Sequence, residues 1–126
     1  VASSDATNIA TTIRRAGDRY VVNGRKWYIT GAAHPDCTIL IVLGRQVGDA
    51  PGDRGRTSQH SVVVVPMSAP GVRLLRPLRF IGWEDYVAPI GELEFTDVEV
   101  PFENLIGTEG GGFAATQGPE GRDAQR

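Results

Sequence analysis

The apolar residues of this chain come in short runs, and glycine, proline, asparagine or aspartate closes each one. "CTILIVLG" and "HSVVVVP" are continuous runs between breakers, the mark of strands in a barrel or sandwich core. "GELEFTDVEVP" alternates, which sets Leu93 and Phe95 on one face, Glu92 and Glu94 on a solvated one, and lets Pro101 end the strand. Earlier, Ile9 to Arg15 and Arg19 to Val22 mix β-branched with polar residues around an "AGD" hairpin-type turn. Asn23-Gly24 is the strongest short hairpin signal in the chain and predicts a turn before a strand from Lys26 to Thr30. "AAHPD" connects onward, Pro70-Gly71 suits the centre of a type II turn, and "RQVGDAPGDRGRTSQ" reads as an exposed loop. The expected fold is all-β, with about seven or eight strands in a small antiparallel barrel or two orthogonally packed sheets. A Phe-Ala-Ala run after the late glycines begins a helix, and "PEGRDAQR" beyond it should fray.

The bulk properties exclude more than they assign. At 126 residues the chain is one domain, long enough to bury a core without staples. Its net charge of -2 gives no electrostatic case for nucleic acid or an anionic membrane as partner. Cys37, the single cysteine, cannot form an internal disulfide, and its apolar neighbours predict a buried thiol. Ile39 to Leu43, the longest apolar run, is too short for a membrane span. No signal peptide is readable, and Val1 is not an initiator methionine, so a longer parent chain is expected.

Few residues offer chemistry by spacing alone. "EGGGF" could cradle a phosphate, but it follows no strand of a βαβ unit, and a flexible hinge into a helix is the better reading. His34, His60 and Cys37 lie on separate elements, so no metal site is expected. Glu84 and Asp85 in "GWEDY" read as a polar turn rather than an acid–base pair. For Thr30 and Ser4, composition and spacing favour plain strand-end hydrogen bonding.

"ASSDATN" followed by "GDRYVVNGRKWYITG" resembles the middle domain of the acyl-CoA dehydrogenases. There a Gly-Ser-Asp segment precedes a Gly-Asp-x-Tyr-x-hydrophobic-Asn-Gly-x-Lys stretch that closes in Trp-Ile-Thr-Asn. "VVVVPMSAPGV" and "GELEFTDVEVPFENLIGTEGGGF" resemble later family segments in the same order, down to the glycine loop that opens the next helical domain. The resemblance runs from residue 1 to about 117 and implies a middle β domain with an incomplete N-terminal edge. Residues 118–126 stand apart as a disordered or non-native tail. "VASSDATN" with "FIGWEDY" points to the long-chain, kinase-fused branch.

The resemblance also implies roles. Tyr28, Ile29 and Thr30 would lie against the flavin ring of FAD, with the threonine hydroxyl near N5 and O4. Ser4 would contact the FAD pyrophosphate and line the acyl-CoA channel, with Ser3 in the glycine's place. Trp27 would face the other side of its strand. Tyr28 stands where the family has tryptophan, and Gly31 where it has asparagine. The implied parent is an oxidoreductase that removes two hydrogens from the α,β-carbons of an acyl-CoA. Its partners would be acyl-CoA, flanking helical domains, electron-transfer flavoprotein or another acceptor, and further copies in a homo-oligomer. Its compartment would be cytoplasmic in a bacterium, mitochondrial or peroxisomal in a eukaryote. No catalytic residue falls within this chain, because the family's carboxylate base lies on a later helical segment. Two alternatives remain: a non-catalytic β-barrel interaction module, and the same scaffold in an acyl-CoA oxidase or flavin monooxygenase.

Overall fold

The computed structural model describes residues 8–48, 60–83 and 85–112. Seven strands follow in order: β1 (Thr12–Ala16), β2 (Arg19–Ile29), β3 (Ile39–Val47), β4 (His60–Pro66), β5 (Val72–Leu78), β6 (Ile90–Pro101) and β7 (Leu105–Ile106). A 3-10 turn, Phe102–Asn104, separates the last two. They form one sheet in the order β5-β6-β2-β1-β3-β4-β7. Every pairing is antiparallel except β1 with β3, so the sheet is mixed, where a purely antiparallel arrangement was expected. The all-β class stands. The sheet curls until Val63 and Val65 of β4 share a core with Val98 and Val100 of β6, from opposite halves of the strand order.

Two turns form as their residues dictate. Gly17, at φ 61°, lets Ala16 pair with Arg19 across a two-residue hairpin. At Pro70-Gly71 the amide of Val72 donates to the Ala69 carbonyl at 3.1 Å, and Gly71 sits at φ 90°, as a type II turn requires.

Asn23-Gly24 does not turn. The strand runs through it as one element, with a register shift against β6 between Val22 and Gly24. Tertiary contacts override the local signal. The Asn23 side chain accepts from the Asp97 amide at 2.8 Å and donates to the Asp97 carboxylate at 3.0 Å. A Cβ on Gly24 would meet Thr11 at 2.7 Å. The glycine therefore serves close strand packing inside a bulge.

Glu92 is not solvated either. β2 and β5 flank β6, and the stems of Arg25 and Arg76 cover the face that alternation gives to the carboxylate. Its side chain is only 10% exposed. Glu94 is half-buried and pairs with Arg73 at 2.8 Å. Leu93 and Phe95 are buried on the opposite face, as alternation predicts. Cys37 is half-buried rather than buried, on a turn beside the core, where its thiol donates to the Ile39 carbonyl.

Candidate functional site

The site exists because β1 is short. Its five residues pair with β2 from Arg19 to Asn23 and with β3 from Arg45 to Val47. Among the described residues no strand continues past Thr12 between the second half of β2 and the first half of β3. A groove of about 620 Å³ opens between them. Ile39, Ile41 and Ile29 wall it, and Leu93 and Phe95 close it from the buried side. Ile9, from the segment that leads into β1, also lines it.

Successive turns shape one end of the groove. The Ala32 amide donates to the Ile29 carbonyl at 3.3 Å, His34 to Gly31 at 3.1 Å, and Cys37 to His34 at 3.0 Å. Gly31 has φ 77°, a conformation that asparagine also tolerates, so either residue can make this turn. Thr30 precedes it, exposed and lining the groove, and its hydroxyl has no hydrogen-bond partner among the described residues. The strand-end hydrogen bond that spacing favours for Thr30 is therefore not formed there.

The structure brings Ile29 and Thr30 into the groove, whereas Tyr28 is not part of its lining. Tyr28 adopts φ 56°, at an irregularity in the β2–β6 register between Lys26 and Ile29. That kink cancels the alternation expected at Trp27. The two rings meet edge-on at 4.8 Å, each residue 43% exposed, instead of pointing to opposite faces. Ser3 and Ser4 lie outside the described residues, as do Glu84, most of the exposed loop before β4, the Phe-Ala-Ala run and residues 118–126.

One lining residue has no place among the expected site residues. Lys26 pairs in register with Leu93, so it occupies the core face of β2. Burial in the groove pushes its ammonium below the usual lysine range. Reading β2 as continuous through Gly24 would have shown this, since Gly24 and Lys26 then share a face with Phe95 and Leu93.

Glu92 and Asp85 are engaged, whereas Asp36 lines the groove with its carboxylate 90% exposed. Glu92 accepts from Arg76 at 2.7 Å and lies 3.4 Å from Arg25. Asp85 accepts from the amides of Ala88 and Val87, which hold its carboxyl below the usual range, and so forms the polar turn expected of it. The Asp36 amide donates to His34 Nδ1 at 3.1 Å. Among the described residues no cluster of three or more His, Cys, Asp or Glu side chains could hold a metal ion. No helix there is long and apolar enough to cross a membrane.

The first glycines of the loop are held against β4. The Gly110 amide donates to the Ser61 hydroxyl at 2.9 Å, and Gly111 forms a bridge with His60. Gln46 Nε2 donates to Glu109, while its other amide atom accepts from Ser61, both at 2.8 Å. A Cβ on Gly112 would meet the His60 carbonyl at 2.6 Å. These glycines let the loop press onto β4.

Known proteins of the same architecture share the sequence as well. Residues 1–98 match the sequence model described as "Acyl-CoA dehydrogenase, middle domain". The chain is 48% identical over 119 residues to acyl-CoA dehydrogenase family member 11 of Homo sapiens, covering 94% of this chain and 15% of that protein. It is 50% identical over 117 residues to "Probable acyl-CoA dehydrogenase FadE2" of Mycobacterium tuberculosis, covering 93% of this chain and 28% of that one. A solved structure from Mycobacterium abscessus, assigned as an acyl-CoA dehydrogenase, superimposes with a TM-score of 0.82 at 42% identity, over 94% of this chain and 28% of that one. The chain thus spans between a seventh and a third of the length of these relatives.

Proposed function

Because this chain belongs to the acyl-CoA dehydrogenase family as its middle domain, we propose that its groove is one wall of the site where a parent flavoprotein dehydrogenates acyl-CoA thioesters. The observation that carries this reading is Thr30: an exposed hydroxyl, unpartnered among the described residues, at the edge of a largely apolar groove. Apolar walls suit a planar ring and exclude water, and a single aimed donor fixes its orientation. FAD, when bound, supplies the acceptor for the β-hydrogen as hydride. The contribution of this chain is positional. Ile29 packs against the ring, and the Thr30 hydroxyl donates to an acceptor on its edge, where negative charge grows as the ring is reduced.

The resemblance implies that the base that takes the α-proton lies on a helical segment of the parent. Glu92, Glu94 and Asp85 are committed to arginines or backbone amides and do not line the groove, whereas Asp36 lines it with a carboxylate 90% exposed. Acyl-CoA, the helical domains, the electron acceptor and any second subunit belong to the parent. The isolated chain, with one wall of the site, should bind FAD weakly and catalyse nothing.

In a full-length parent, Thr30→Val keeps the shape and removes the donor. The expected loss is roughly 1–3 kcal/mol of stabilisation of the reduced ring, read as a lower flavin potential and slower reduction by acyl-CoA. Unchanged flavin affinity, potential and reduction rate would remove Thr30 from this role.

A further inference from the structure

Lys26 is a cation on the core-facing side of β2. Its partners in register place it on the core face, opposite Leu93 and one step along from the Gly24–Phe95 pair. Strands that bury one face put apolar residues there, and an ammonium in that position loses hydration for no packing gain. Such a loss is normally offset by an ion pair, yet Lys26 has no carboxylate or hydrogen-bond partner among the described residues. The nearby acids are unsuited to the task. Glu92 and Glu94 belong to the opposite face of β6 and pair with arginines, and Asp36, which also lines the groove, makes no ion pair with Lys26 and keeps its carboxylate 90% exposed. The groove thus holds a half-buried ammonium that pairs with no acid among the described residues, in a lining of isoleucines and leucines that also includes His34 and Asp36.

We infer that Lys26 is an oxyanion subsite, which holds a phosphate or carboxylate oxygen of the ligand that fills the groove between β2 and β3. A half-buried charge that pairs with no described residue is prepared for a counter-charge that arrives with the ligand. Thr30 and Lys26 then divide the recognition, with a neutral donor at one point of the groove and a cation at another. Naming the phosphate of a flavin nucleotide or coenzyme A as the source rests on the function proposed above. The subsite itself rests on register, burial and the missing partner.

The test follows the Lys26 ε-methylene and the Thr30 and Ile41 methyl groups by NMR in the full 126-residue chain. Inorganic pyrophosphate, acetate and riboflavin, which carries the ring without phosphate, are titrated separately. Pyrophosphate or acetate should shift all three signals saturably, and whichever binds tighter identifies the source as phosphate or carboxylate. Lys26→Met, which keeps the stem, should weaken that anion by at least about tenfold, and Lys26→Arg should hold it within roughly threefold. Anion binding without riboflavin binding upholds the subsite and counts against the flavin wall. Riboflavin binding that Lys26→Met leaves intact, with no groove response to either anion, overturns the subsite and spares the wall. Anion binding equal in wild type and Lys26→Met also overturns it. A dispersed spectrum for Lys26→Met shows that the variant is folded, and Lys26→Arg provides a second reading if it is not.

Discussion

Arg76 donates from Nε to Glu92 at 2.7 Å across the β5–β6 pair, and the two partners are unequally wet: the arginine side chain is 64% exposed and the glutamate 10%. Arg25 approaches the same carboxylate from β2, with 61% of its side chain exposed. Three neighbouring strands are therefore tied through one buried anion.

That inequality predicts an asymmetric response to mutation. Glu92→Met releases two guanidinium groups that can rehydrate, so it should cost about 1 kcal/mol or less. Removing both arginines strands the carboxylate, and the Arg25→Ala, Arg76→Ala double variant should lose roughly 2–3 kcal/mol, a figure already discounted for solvent screening of their exposed heads. Urea denaturation of the three proteins decides it. Equal losses, or the reverse order, would refute the account.

Lys26 should destabilise the free domain. Burial lowers its folded-state pKa below that of the unfolded chain, so the charged form is disfavoured on folding. The unfolded chain then holds the proton more tightly, and stability rises as pH climbs from the lowered folded pKa to the usual lysine value. Lys26→Met should accordingly be more stable at pH 7, by about 1 kcal/mol, and its advantage should shrink toward pH 10. Thermal melts of both proteins at the two pH values test the sign. A destabilised Lys26→Met would contradict it.

Tyr28 stores backbone strain at φ 56°. Truncation to alanine keeps the strain and loses the ring contact with Trp27, whereas glycine loses the same contact and relieves the strain. Tyr28→Gly should therefore be more stable than Tyr28→Ala by about 1 kcal/mol. If alanine proves the better residue, backbone strain at this position does not limit stability.

Two turn positions should respond in opposite directions. A Cβ on Gly71 would collide with the Thr96 carbonyl, and its φ of 90° already disfavours any side chain. Gly71→Ala should cost roughly 2–3 kcal/mol. Ile81, exposed in the tight turn between Phe80 and Trp83, is β-branched at φ 50°. Ile81→Asn should gain about 0.5–1 kcal/mol. Denaturation midpoints at unchanged slope read both values.

The features legible in the sequence are those decided within a few residues. Gly17-Asp18 and Pro70-Gly71 turn because their own backbone preferences suffice, and Leu93 with Phe95 find the core through alternation alone. Asn23-Gly24 misleads because its conformation is set by Thr11 and Asp97, the latter 74 residues away. Glu92 is hidden by arginines from two other strands, which no local pattern reveals. In the groove, the family resemblance leads to Ile29 and Thr30. It includes Lys26 in a motif but gives it no role, and the face of that lysine depends on whether the strand survives the glycine. The kink at Tyr28, which breaks alternation at Trp27, leaves no trace in composition.

The Asn23–Asp97 contact also constrains the order of assembly during synthesis. β2 is made well before β6 and acquires this second neighbour only after Pro101 has been made. Until then the β1–β2 and β3–β4 hairpins can close, but the long outer edge of β2 has no partner. A nascent chain halted before β6 would present that edge to its neighbours on the polysome, a template for intermolecular pairing. Slow codons or truncations between β5 and β6 should therefore send this domain into aggregates more readily than the same interruptions placed after Pro101.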